Sequence, residues 1–169
     1  MVKKIILMLC LIACMTSIFI FSSQNSQISG DLSGGITQKI AEIFVKDFDT
    51  FSPEKQREIV EGMHFYIRKA AHFSIYAALG FFAFLNADIY IRRTGRKFLL
   101  SLPFCLIYAA SDEIHQLFTD GRCGSPIDVM IDFSGSVTGT LVAFCILNIF
   151  TLFFKKLLTN KKNDYIINS

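Results

Sequence analysis

Two stretches of this chain carry residues able to do chemistry. The first is Ser111-Asp112-Glu113-Ile114-His115-Gln116, followed by Asp128 and Asp132, which stand one helical turn apart. Carboxylates and an imidazole in that density are the groups that hold a divalent ion, or serve as acid and base at a phosphate ester. The second is His64, Arg68 and His72, at steps of four residues that stack them on one helix face, with Lys69 and Tyr76 on its flanks. Arg68, Lys69 and Arg122 are suited to phosphate, the arginines through forked contacts. The acids fit no standard metal motif and no nucleophile-elbow pattern occurs, so no metal ligand is assigned, and the sequence names no cofactor or metal requirement. Asp112, Glu113, His115, Asp128 and Asp132 are the candidates for catalysis.

The elements that must position these residues are membrane helices. Hydrophobic residues make up 52% of the 169, with 18 Phe and no Trp, and they run in long unbroken stretches that a soluble core does not need. Spans are expected at about residues 5–21, 70–91, 98–118 and 127–154, giving an all-α, four-transmembrane-helix bundle in a single domain over residues 1–169. The tetrad ending in Cys14 resembles a lipoprotein processing site, but the apolar run continues past it, so a retained anchor is expected. The five cysteines define no disulfide framework.

Lys3 and Lys4, the group Arg92, Arg93, Arg96 and Lys97, and the lysines after residue 154 belong on the cytoplasmic side by the positive-inside rule. Both termini are then cytoplasmic, and His64, Arg68, Lys69 and His72, but not Tyr76, fall near the outer face with the acids. Asp88 is expected to pair with Arg92. The outer segment, about residues 22–69, contains Ile36, Ile40, Ile43 and Phe44 at helical spacing, as in an interfacial amphipathic helix. Ser52-Pro53-Glu54 reads as a helix start, with a break expected near Gly62. In the last span Asp128, Asp132, Gly135 and Gly139 share one narrow arc, so the small-residue stripe that packs on another helix also carries both acids. A net charge of +3 makes no case for a nucleic-acid partner.

In these residues the chain resembles the VanZ-like family of bacterial membrane proteins, named for a teicoplanin-resistance protein. The matching blocks are Ser-Gln-Asn-Ser at 23–26, Arg-Lys-Ala-Ala-His-Phe at 68–73 with Tyr76, Leu79 and Gly80, and Ser-Asp-Glu-Ile-His-Gln-Leu-Phe at 111–118. Gly121-Arg122, Asp128, Asp132, Gly135 and Gly139 complete them. Ile75 stands where an acid is expected. The resemblance implies a plasma-membrane protein of the cell envelope, some of whose relatives raise tolerance to lipoglycopeptides, and implies no established reaction.

Three functional readings follow. The charges tie helix ends together as a structural network, and an envelope partner would be met through exposed loop residues instead. They bind a phosphate-bearing membrane lipid or lipid-linked cell-wall precursor, through Arg68, Lys69, His72, Asp112, Glu113, Gln116, Arg122, Asp128 and Asp132, with Gln24 and Asn25 as neutral hydrogen-bond partners. Or they form a membrane-embedded hydrolase or transferase acting on a lipid head group. Whether the protein is an enzyme, and its oligomeric state, stay open on sequence.

Overall fold

The structure is a computed structural model that describes residues 1–24, 26–119 and 124–167. It is all-α, with no strand among the described residues: α1 (Val2–Ser22), α2 (Ser26–Phe44), a short 3-10 turn (Phe48–Thr50), α3 (Pro53–Tyr90), α4 (Thr94–Gln116) and α5 (Pro126–Ile167). Asp47, in the left-handed region at φ 57°, turns the chain out of α2, a conformation Asp tolerates better than most residues. The helix start read at Ser52 is present: its side chain accepts from the Lys55 N–H at 3.4 Å, and Pro53 opens α3.

From there α3 runs 38 residues without interruption, about 57 Å at 1.5 Å per residue. The break expected at Gly62 does not occur. Gly62 faces open space, and a single helix glycine costs only about 1 kcal/mol, which its helix-forming neighbours absorb.

Contacts at both ends fix the directions of the four core helices. At one end Asn86 of α3 donates to the Leu7 carbonyl of α1 at 2.9 Å, Lys4 lies over the Tyr90 ring, and Phe84, Phe98 and Phe144 join α3, α4 and α5. At the other end Ser23, just past α1, meets His115 near the end of α4, and Lys69 of α3 meets Asp128 near the start of α5. Helices α3 and α5 therefore run parallel to each other and antiparallel to α1 and α4. Between the ends, Ile18, Tyr76, Leu79, Ala83, Cys105 and Ala109 form the apolar core. At the basic end Asp88 pairs with Lys97 at 2.5 Å, not with Arg92 as expected. The turn into α4 carries Lys97 back beside α3, whereas Arg92 lies beyond the last turn of α3.

The tightest packing joins α3 to α5. A Cβ at Gly139 would overlap the Ala77 carbonyl, and one at Gly80 would overlap the Ser136 carbonyl. The Thr140 hydroxyl donates across the same seam to the Gly80 carbonyl at 3.2 Å. Small residues therefore let the two backbones touch.

Three helices are long and apolar enough to cross a membrane: α1, α3 and the Pro126–Phe153 part of α5. Their outward surfaces are apolar, as with Ile5, Ile6, Leu9 and Ile12 on α1 and Ile146, Ile149 and Phe150 on α5. Helix α4, expected to be a fourth span, is not among them. Its apolar stretch between Lys97 and Asp112 rises only about 21 Å against roughly 30 Å of hydrocarbon.

Because the α3–α5 seam tolerates no side chain, Gly139→Leu should destabilise the protein by at least about 1–3 kcal/mol, the range for overpacked cores. Gly62→Ala should be neutral or stabilising by about 0.5–1 kcal/mol. Thermal unfolding of the detergent-purified variants, read by fluorescence-detected size exclusion, checks both; equal melting temperatures would contradict the seam.

Candidate functional site

The polar residues gather where α4 ends and α5 begins, against the middle of α3. Asp112 and Glu113, on the last turns of α4, are each 5% exposed, Gln116 3% and Asp132 1%. The Gln116 amide donates to Asp112 Oδ2 and to Glu113 Oε1, both at 3.2 Å, and so spaces the two carboxylates. Glu113 Oε2 accepts from the Ser125 N–H at 2.8 Å, which ties the connection before α5 to the end of α4. Gly124 makes this approach possible, since a Cβ there would lie 2.9 Å from the Glu113 carbonyl oxygen.

Helix α3 supplies the cationic side. Lys69 forms an ion pair with Asp128, and His72 Nδ1 lies 3.6 Å from Asp132 Oδ1, too far for a good hydrogen bond. Asp132 Oδ2 is buried with no hydrogen-bond partner. Oxygens of Asp112, Glu113 and Asp132 all lie within 4.8 Å of one another. At that separation two full negative charges repel by roughly 3.5 kcal/mol for an effective dielectric constant of about 20. Like charges so close require compensation.

Arg68 faces another way. It lines a cavity of about 230 Å³ between α1, α2 and α3, with Asp112 of α4 at its wall. Ile18, Phe21, Ile36 and Ile75 give the cavity apolar sides, and Gln24, His72, Tyr76 and Asp112 give it polar ones. Arg68 is half-buried, and it forms no ion pair among the described residues. Above it, His64 Nε2 and the Ser33 hydroxyl lie 2.6 Å apart, fastening α2 to α3. His115 stacks on Phe19 and lies 3.1 Å from the Ser23 hydroxyl, fastening α4 to α1.

The residues read from sequence thus divide into two groups that share Asp112. Gln24, Arg68, His72 and Asp112 line the cavity, while Lys69, Glu113, Gln116, Asp128 and Asp132 form the buried charge cluster beside it. His115 is held at the α1 edge, outside both. Asn25 and Arg122 lie outside the described residues. Tyr76, set apart from this end by its position along α3, in fact reaches the cavity wall and faces Asp112. Ser33 and Ser125 were not legible at all: one acts through a hydroxyl on an amphipathic helix, the other through a backbone N–H in a connection.

Three helices long and apolar enough to cross a membrane, with buried acids collected at one end of the bundle, mark a membrane protein. The chain belongs to the VanZ/LLP1 family, whose model matches residues 7–151. No curated protein and no solved structure matches the chain significantly.

Lys69 and Asp128 are each about one-fifth exposed, so the pair is worth more than a surface bridge. Lys69→Met and Asp128→Asn should each lower stability, and the double variant should lose less than their sum by about 1–3 kcal/mol. A double-mutant cycle on thermal or denaturant unfolding measures the coupling, and strict additivity would contradict the pairing.

Proposed function

We propose that this protein binds the phosphate head group of an envelope lipid or lipid-linked cell-wall precursor in the Arg68 cavity, on the outer side of the bacterial plasma membrane. The observation that carries this is a guanidinium free of carboxylate partners among the described residues, set in a cavity with apolar walls. A head group needs the first and its acyl or isoprenyl chain the second. Such a molecule enters sideways from the bilayer, through the gap between α1 and α2.

The accompanying topology is four passes with both termini cytoplasmic. Lys4, Asp88–Lys97 and the Arg92, Arg93 and Arg96 group lie at the end of the bundle opposite the carboxylates, which fits the positive-inside rule. Helix α4 crosses beside the other helices, with Leu99, Leu106 and Ile107 of its shorter apolar stretch facing outward. Helix α2 lies on the outer interface: its small Thr37 and Ala41 are buried, while Ile36, Ile43 and Phe44 are exposed. Sequestering or remodelling a displayed precursor accounts for lowered glycopeptide sensitivity, because those antibiotics act on the same outer surface. The buried carboxylates favour a second reading, a lipid-head-group hydrolase or transferase using Asp112, Glu113 and Asp132.

The test combines binding and protection. Purified wild type, incubated with vesicles of phosphatidylglycerol or of a polyisoprenyl phosphate, should retain the lipid on native mass spectrometry. Arg68→Ala should weaken retention by about 10–100-fold, the worth of one or two charge-assisted hydrogen bonds. In a sensitive strain, wild type should raise the teicoplanin concentration needed for inhibition, and Arg68→Ala at equal membrane abundance should not. Equal lipid retention by the two proteins would overturn the site; turnover of the lipid would select the enzyme.

A further inference from the structure

Beside the Arg68 cavity, the oxygens of Asp112, Glu113 and Asp132 converge within 4.8 Å, on side chains almost fully buried. Gln116 and the Ser125 N–H hold Asp112 and Glu113 in place, and His72 approaches one oxygen of Asp132. The other, Oδ2, is buried and has no hydrogen bond. A residue outside the acidic group points into the same space. The Tyr76 side chain is 0% exposed, and its hydroxyl makes no hydrogen bond of good geometry while facing Asp112 and Asp132. A packed helix core does not leave a tyrosine hydroxyl and a carboxylate oxygen unused without a reason.

We infer that this cluster is a binding site for a hard divalent cation, with Asp112, Glu113 and Asp132 as its anionic ligands and the Tyr76 hydroxyl oriented by a water or ligand of that ion. The dimensions suit it. Oxygens on opposite sides of a calcium ion lie about 4.6–5.2 Å apart, and those around magnesium about 4.0–4.2 Å. The observed spread fits the larger ion directly and the smaller after side-chain shifts of under about 1 Å. An all-oxygen donor set selects calcium, magnesium or manganese over zinc or copper. Ligands drawn from two helices, across a connection, also explain why no metal motif is visible along the chain. Arg68 is not a ligand, so the cation site stands apart from the lipid proposal, although Asp112 belongs to both.

Manganese titrated into chelator-stripped, detergent-purified protein, with loss of the free-ion electron paramagnetic resonance signal as readout, tests this directly. Wild type should bind stoichiometrically, in competition with calcium and magnesium, and should melt at a higher temperature with manganese than with chelator. Asp132→Asn and Glu113→Gln should bind at least about tenfold more weakly, and Arg68→Ala should bind as wild type does. Tyr76→Phe keeps the packed ring and should weaken binding by a few fold. It decides the location if the acid variants fail to fold: unchanged affinity in Tyr76→Phe would then overturn the assignment. Absence of saturable manganese binding to wild type up to millimolar concentration, or unaltered binding in folded Asp132→Asn and Glu113→Gln, would overturn it outright. Retained manganese with lost lipid in Arg68→Ala separates the two proposals.

Discussion

The backbone contact between α3 and α5 is the constraint on which the polar end of this molecule depends. Phe73 sits against Gly135 and Ala77 against Gly139, a constant offset between two parallel helices. Thr140 bonding to the Gly80 carbonyl continues it. Carried one turn toward the polar end, nearly the same register sets His72 opposite Asp132 and Lys69 opposite Asp128. Slipping the seam by one turn would separate both pairs at once and leave buried carboxylates facing apolar side chains. In lipid, where apolar surface gives little reason for one helix to prefer another, close small-residue packing is what selects the register, and the charges then penalise alternatives.

The same parallel arrangement explains how the acids are distributed. Asp128 lies in the first turn of α5, where the unpaired N–H groups and the helix dipole favour a negative charge. Asp112 and Glu113 have the opposite circumstance, on the last turns of α4, where the dipole opposes them. They are held there by the Gln116 amide and the Ser125 N–H. Three buried oxygens so arranged are maintained against their electrostatics, and such placement in a membrane-spanning fold marks function more often than stability.

Much of this was legible in the chain. Apolar run lengths placed α1, α3 and α5, and the four-residue steps on α5 identified the face that packs on another helix, because helical periodicity decides which side chains share a face; on α3 the steps joined His64, Arg68 and His72, whereas the seam runs through Lys69, Phe73 and Ala77. Gly135 and Gly139 announced the seam for the same reason. What could not be read depends on contacts between distant segments. Nothing local distinguishes Lys97 from Arg92 as the partner of Asp88, since the choice is made by the path of the α3–α4 connection. Nor does Gly62 reveal that α3 continues through it, because whether a glycine breaks a helix depends on what the neighbouring turns bury. The inward face of α2 was masked by its own composition: its largest apolar residues point away from the bundle, while Thr37 and Ala41 pack inward.

Arg68 and Lys69 show how one helix serves both halves of the site. Adjacent residues on a helix point about 100° apart, so two neighbouring cations face different surroundings. Lys69, on the seam side, meets Asp128 and is neutralised. Arg68 faces the gap between α1 and α2, where the nearest walls are Ile18, Phe21 and Ile36 and where no acid stands opposite it on those helices among the described residues. Had Ile75, which lines this wall, been an acid, a carboxylate two turns along α3 could have competed for the guanidinium or for its ligand. As the chain stands, the anion that completes Arg68 has to come from outside the bundle or from Asp112, and Asp112 is already held beside Glu113 by Gln116. A cation held among those three acids would draw Asp112 further from Arg68 and leave the guanidinium to an incoming anion. The charge cluster would then set the strength of the cavity's binding through Asp112, the residue the two sites share.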